Sequence, residues 1–324
     1  MPGTTFDVDL RPATLDDAEK VADLDTVRDP TEPRDPVMLR HWWRMADETE
    51  RSMRQIAVRD GSAVAFVSAS HEPWLSGETR YGTIRAGVRP DVFTHARYAS
   101  LVDLAERWLV GEGTAVAVAR AKDGFPELSA LRTIGYAEDR RQRTSELDLT
   151  ANRDRLLDGR ERERARMSRQ GVALITLSED RDPERLRKLY AALIESEKDV
   201  PTTVPWHVMD FDPWCRFWFE NPAIREDHFW IARENDEIVG ASVLDTPVIR
   251  GVPWTGYTGT VRRVRGRGIA RALKYESIGQ AIEEGHTRVR TSNDADNPAI
   301  LHINEEMGYR LVTPVVEMHR ALET

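Results

Sequence analysis

Short runs rich in β-branched and small apolar residues, each bounded by turn residues, predict strands over 8–13, 54–61, 62–70, 172–177, 228–235, 237–245, 256–261 and 287–292. Helical patterns fall over 16–24, 38–50, 126–134, 182–195, 214–219 and from Gly268 onward. In the last of these, Ala270, Leu273, Ile278, Ala281 and Ile282 share one broad face, and Gly285 supplies a stop. Asp60-Gly61 and Asn235-Asp236 join two strand pairs as hairpins.

Laid side by side, these elements repeat. A strand, a helix, a proline-rich loop, an aromatic helical segment and a hairpin occur in residues 8–70 and again in 172–245. Gly135-Tyr136 follows one helix as Gly308-Tyr309 follows another, and 145–149 answers 316–320. The expectation is a tandem duplication of one α/β fold with a mixed sheet, at an offset of about 170 residues. The expected boundaries are 1–150 for the first copy, 151–171 for a charged, solvated linker, and 172–324 for the second copy.

Composition narrows the function. No apolar run approaches the ~20 residues of a bilayer-spanning helix, and the N-terminal residues lack the order of a signal peptide. Cys215 is the only cysteine, which excludes an intrachain disulfide and fits a reducing cytoplasm. A net charge of −9 argues against general nucleic-acid binding. A cytoplasmic monomer or homodimer is expected, with no membrane or nucleic-acid partner and no metal.

The chemistry concentrates between Thr255 and Lys274. A strand ends, an arginine- and glycine-rich turn follows, and a helix begins. Glycines let a ligand approach the backbone, and the helix N-terminus offers free N–H groups and partial positive charge. Such a turn suits phosphate. A dinucleotide turn would need a third glycine where Arg271 stands, and a Walker loop would need a glycine–lysine–Ser/Thr. The spacing Arg263-x-x-Gly266-x-Gly268 instead resembles the pyrophosphate loop of the GNAT N-acetyltransferases. A second stretch, 297–309, resembles that family's fourth-helix segment, an Asn opening a short helix that closes on Gly-Tyr.

The resemblance implies an acetyl-CoA-dependent N-acetyltransferase acting on a primary amine of a small molecule by direct attack. It implies that Thr258, Gly259 and Thr260 hold the acyl–pantetheine arm. Arg263, Arg265, Gly266, Arg267, Gly268, Ile269 and Ala270 would hold the pyrophosphate, through the N–H groups from Arg265 to Ala270 and the arginine side chains. Asn297 and Asn304 would reach the arm, unless Asn297 only caps its helix. A backbone N–H on the strand would stabilise the oxyanion. The amine needs a base, and the candidates are Glu195, Glu197, Asp199, His207, Asp210 and Asp212, with Tyr257 a further participant. Asn304 stands where the family often has a proton-donating tyrosine, so it cannot serve as that acid. Tyr309 or water could, or the thiolate could leave unassisted. The acids and rings of 195–219 suggest a cationic, partly apolar amine acceptor. Cys215 is read as a packed thiol rather than a nucleophile.

The first copy departs from the pattern. A gapless alignment puts Asp91 on Arg263, Phe93 on Arg265, Thr94 on Gly266 and Ala96 on Gly268, with Gly124 and Leu131 near Asn297 and Asn304. Both glycines are lost and a carboxylate faces the phosphate position, so a degenerate domain is expected. Two other classes stay open: a non-catalytic acyl-CoA-binding or regulatory protein, and a nucleotide-binding domain of another fold, which the two hairpins oppose.

Overall fold

The computed structural model describes residues 9–72, 78–200, 208–295 and 297–323. In chain order its elements begin with β1 (Arg11–Pro12), α1 (Ala18–Arg28), α2 (Pro36–Thr49), β2 (Arg51–Arg59), β3 (Ser62–His71) and β4 (Tyr81–Val88). Next come α3 (His95–Gly111), β5 (Val116–Lys122), α4 (Pro126–Thr133), β6 (Ala137–Asp148) and α5 (Arg153–Arg169). The plan then restarts with β7 (Val172–Thr176), α6 (Arg185–Glu197), α7 (Phe211–Phe219), β8 (Phe229–Glu234), β9 (Glu237–Asp245) and β10 (Trp254–Thr260). It closes with α8 (Ile269–Glu283), β11 (Arg288–Asp294), α9 (Pro298–Met307), β12 (Arg310–Leu311) and β13 (Val315–Ala321).

Local chemistry sets several ends. Asp35 caps α2 by accepting from the backbone N–H groups of Val37 (2.8 Å) and Met38 (3.2 Å), with Pro36 at the first turn. The β2–β3 hairpin turns on Asp60 and Gly61, both at positive φ, as a tight hairpin turn demands.

The chain forms two compact units. Unit 1 is residues 1–142, 248–251 and 313–324, and unit 2 is 143–247 and 252–312. In unit 1 the strand order is β1-β2-β3-β4-β5-β13-β6, where β6 contributes residues 137–142. In unit 2 it is β7-β8-β9-β10-β11, then residues 143–148 of β6, then β12. Both sheets are mixed: β4–β5 and β10–β11 are parallel, and the hairpin pairs are antiparallel.

The unit boundaries differ from the expected 150 and 172 because terminal strands cross over between the halves of the sequence. β13 pairs along its whole length with β5, from Val315↔Lys122 to Ala321↔Val116. The end of β6 pairs with β12 at Arg310↔Glu146, and Glu146 accepts from Arg290 Nε on β11 at 2.8 Å. The presumed linker is not solvated either. It is helix α5, which buries Leu156, Gly159, Arg160 and Met167 and packs on α8. Its charges find partners there: Arg164 makes a two-pronged pair with buried Glu276 at 2.6 and 2.7 Å.

In unit 1, α1 and α2 bury Val21, Leu24, Leu39 and Trp43 with Ile56 and Phe66, while α3 and α4 bury Leu101, Leu109 and Leu131 with Val67 and Ile84. In unit 2, α6 and α7 bury Leu189, Leu193, Trp214 and Trp218 with Phe229 and Val243. Leu156, Ile278, Ile282 and Met307 pack with Leu244 and Val289. No described helix is long and apolar enough to cross a membrane.

Candidate active site

The site hangs on β10. Its register with β9 slips between Thr255 and Tyr257, so Gly256 is the extra residue of a β-bulge. A side chain there would displace Asp245, because its carboxylate occupies the place a Cβ would take. On its other edge β10 pairs with β11 at Trp254↔Arg290, with Arg290 N donating to Pro253 O at 2.9 Å. Beyond that point, among the described residues, 257–260 pair with β9 alone. The two parallel strands therefore part past Trp254↔Arg290, which leaves the β11 edge of 257–260 open.

Alternation along β10 assigns its faces. Thr258 Oγ1 meets Ser242 Oγ at 2.9 Å, and Ser277 on α8 donates to Ser242 at 3.0 Å. Tyr257 points the other way, and its hydroxyl shares a hydrogen bond with Ser196 on α6. The Tyr257 ring lies over Gly259, where a side chain would collide with it. Burial raises its phenol well above the ordinary value, so Tyr257 is a hydrogen-bonding group and no base.

After β10 the chain makes one tight turn over Arg262–Val264, and Gly266 (φ 75°) and Gly268 (φ 85°) take left-handed conformations before α8 starts. Arg265 N donates to Arg262 O at 3.2 Å, so that N–H closes the turn rather than facing a ligand. The N–H groups of Gly266 to Arg271 have no acceptor among the described residues. The donor set thus begins one residue later than expected.

The arginine side chains of the turn are already paired. Arg262 and Arg265 both bind Asp199, at 2.8 and 2.7 Å, which holds that carboxyl well below its usual range. Arg263 binds Glu234 at 3.0 Å and also Glu237, and Arg267 binds Glu234 at 2.8 Å. Asp199 is thereby a brace of the turn. One cation that sequence did not single out is Arg166 of α5, whose guanidinium sits where a Cβ on Gly268 would be.

Asn297 opens α9 without a side-chain cap bond, so the capping role is not the one it fills. Asn304 is buried and fully used: Oδ1 accepts from Lys274 Nζ at 2.5 Å, and Nδ2 donates to Asn293 Oδ1 at 2.7 Å. Lys274 itself is 1% exposed, lies 4.7 Å over the Tyr309 ring, and is pushed down to about 7 by burial. The Tyr309 hydroxyl meets Thr255 Oγ1 at 3.2 Å, and Thr291 Oγ1 donates to Thr255 O at 3.2 Å.

The candidate bases separate clearly. Glu195 is exposed and accepts from Arg262 N at 2.8 Å, which makes it a second brace of the turn. Glu197 is half-buried near Tyr257, and burial alone lifts it to about 7. Asp210 and Asp212 are exposed at the start of α7, and His207 lies outside the described residues. Asp245, absent from the sequence candidates, stands on the Tyr257 side of the sheet. As a residue it is half-buried, but its Oδ1 is shut off from solvent with no hydrogen-bond partner among the described residues, and burial raises the carboxyl to about 7. Cys215 is half-buried on α7, and burial pushes its thiol up, away from a thiolate. Trp214 and Trp218 are core residues, so they do not line an open acceptor surface.

Unit 1 lacks these features. β3 and β4 pair from Ala65↔Val88 to Ser70↔Thr83 with no bulge, and β4–β5 stay paired through Tyr81, Gly82, Thr83 and Ile84. After its tight turn at Pro90–Val92, helix α3 starts directly on Thr94, whose hydroxyl accepts from Arg97 N at 3.1 Å. Thr94 therefore matches Gly268, not Gly266: the first turn is two residues shorter, and the gapless alignment slips there. Asp91 is tied to Arg89 at 2.6 and 2.8 Å.

Residues 188–309 match the acetyltransferase (GNAT) family. Two solved structures share the fold over nearly the whole chain. A GCN5-related N-acetyltransferase from Sphaerobacter thermophilus is 19% identical over 99% of this chain and 98% of its own, with a TM-score of 0.68. A tandem GNAT protein from the clavulanic acid biosynthesis pathway is 14% identical over 98% of this chain and 99% of its own, with a TM-score of 0.72. No curated protein matches in sequence. The fold is a tandem GNAT fold, and the segment 188–309 belongs to the GNAT acetyltransferases.

Proposed function

We propose that unit 2 transfers an acetyl group from acetyl-CoA to a primary amine of a small, cationic molecule. One observation carries this reading: a row of unpaired backbone N–H groups, Gly266 to Arg271, lies at the end of a strand that has parted from its neighbour. The pyrophosphate would sit on those N–H groups, where the helix dipole and Arg166 add positive charge. The paired arginines supply a rigid positive rim rather than free ligands. The thioester arm would run back along Thr260, Gly259 and Thr258 toward the bulge at Gly256.

Asp245 and Glu197 border the Tyr257 side of β10, and burial brings both to about 7, where each exchanges a proton readily near neutral pH. A carboxylate without a partner beside the bulge suits a group that takes a proton from an attacking ammonium. The same carboxylates favour a cationic acceptor over an anionic one. Unit 1, with a short, self-capped turn, would hold no cofactor and serve a structural role.

Calorimetry with acetyl-CoA tests the cofactor site. One site of micromolar strength is expected, lost in Gly266→Glu, whose carboxylate would stand in open space at the anion position. Retained binding in that variant would refute the assignment, and two sites would refute the reading of unit 1. An amine screen with thiol detection then tests the acceptor: turnover confined to neutral or anionic amines would overturn the cationic class.

A further inference from the structure

Lys274 lies beyond the N–H row at the start of α8, and buried as it is, it is an expensive residue to keep. It faces Asn304 from α9, the Tyr309 ring, and through Asn304 the side chain of Asn293 on β11. From β10 its nearest link is Thr255, through the Tyr309 hydroxyl. None of these groups is charged. On α8 and α9, Glu276 is held by Arg164 and Glu306 by Arg271. A buried ammonium with only neutral partners is destabilising unless an anion arrives to meet it.

The place of that anion is set by the strands. The network around Lys274 touches both sides of the opening where it begins, through Thr255 on β10 and Thr291 and Asn293 on β11. An arm anchored at the start of α8 and laid back along β10 covers Thr260 to Gly256, at about 3.3 Å per residue, and ends at this point. Asp245, at the end of the neighbouring strand β9, lies on the opposite face of the sheet.

We infer that Lys274 is the proton donor to the sulfur that leaves when the thioester is cleaved, an inference that rests on the acyl-CoA reading above. Asp245 takes one proton from the ammonium of the acceptor. The amine nitrogen attacks the thioester carbonyl carbon and the C–N bond forms. Collapse of the tetrahedral intermediate breaks the C–S bond, the electron pair leaves on sulfur, and sulfur takes the proton of Lys274. The second proton of the nitrogen passes to solvent, as does the one on Asp245, and Lys274 regains a proton from water as the thiol departs. Asn304 is a positioning residue: its Oδ1 holds Nζ in place, and its amide is itself held by Asn293.

The test uses the intact protein and free CoA, with desulfo-CoA as the reference. The ultraviolet thiolate band of bound CoA is followed against pH in the wild type, Lys274→Met and Asn304→Leu. Free thiols titrate near ~8.5. In the bound state Lys274 and the sulfur share one proton, so the thiolate band should appear at a lower pH in the wild type than in Lys274→Met, with Asn304→Leu between the two. Desulfo-CoA should bind all three within a few-fold, which establishes that the variants fold. With any amine found in the screen, kcat of Lys274→Met should fall roughly 100-fold or more with little change in KM for acetyl-CoA. The loss should shrink with an acyl donor whose thiol is more acidic. An unchanged thiolate band, or a loss of kcat indifferent to the leaving group, overturns the inference while leaving the acyl-CoA reading intact. Failure of the wild type to bind either CoA or desulfo-CoA overturns both.

Discussion

Asp245, at the end of β9, and Lys274, on α8, carry opposite penalties on the two faces of one sheet. The folded protein keeps the Asp245 proton up to about pH 7, whereas an unfolded aspartate has lost it by its ordinary value of 3.8. Between these values the folded state binds more protons, so stability falls as pH rises, by about 1.4 kcal/mol per pH unit at most. Lys274 reverses the sign. Between about 7 and its ordinary 10.5 the unfolded state binds more protons, so stability rises with pH. Together the two groups place a stability minimum near neutrality. Urea unfolding across that range should show the dip. Asp245→Asn should flatten its acid side and Lys274→Met its alkaline side, and a wild-type profile without a dip would refute both burials. In activity, Asp245→Asn should lower kcat/KM by roughly 100-fold and abolish the acid limb near pH 7. If Glu197→Gln does this instead, Glu197 is the base. Neither group was legible as such in the sequence. Asp245 ends a strand of apolar residues and Lys274 interrupts an apolar helix face, and both patterns fit solvated ends equally well. What sequence did expose was the glycine pair, because left-handed φ at Gly266 and Gly268 admits few other residues.

At the scale of elements, sequence pattern located most strands and helices, since hairpin turns and helical faces are local properties. The charged stretch 151–171 misled because charge density alone does not tell a solvated helix from one whose charges meet a neighbour. The informative residues were small. A Cβ on Gly159 would strike the ring of Tyr275, and one on Gly279 would strike Arg160. These two glycines let α5 and α8 approach closely. Gly159→Val should therefore cost about 1–3 kcal/mol through overpacking, read as a lower urea midpoint with an unchanged slope. Acetyl-CoA affinity should stay within a few-fold, because Tyr275 lies at least one helical turn beyond the N–H row of Gly266 to Arg271. A variant as stable as the wild type would mean the helices slide apart without loss. The two-residue deficit in the first turn was likewise invisible to a gapless alignment: only the helix start at Thr94 shows where the copies part.

At the scale of the whole molecule, the duplication was legible but the division of the chain was not. Local pattern says what each segment forms and nothing about which sheet receives it. Residues 143–148 and α5 belong to unit 2, and residues 313–324 belong to unit 1. A fragment cut at the apparent repeat boundary, 172–324, would lack the β6 segment that follows β11 in the sheet. It would also lack the helix covering Tyr275 and Ile278, and it would carry β13 without its partner β5. Exposed strand edges of that kind favour aggregation. A fragment spanning 143–312 keeps every element of unit 2 and the complete turn from Arg262 to Gly268. The expected outcome is that 143–312 is monodisperse, unfolds cooperatively and binds acetyl-CoA within about tenfold of the full chain, while 172–324 aggregates or stays unfolded. Cooperative unfolding and full affinity in 172–324 would show that unit 2 is stable without the crossed strand. Loss of both in 143–312 would show that the cofactor site depends on unit 1, which would give the degenerate copy a role beyond its own fold.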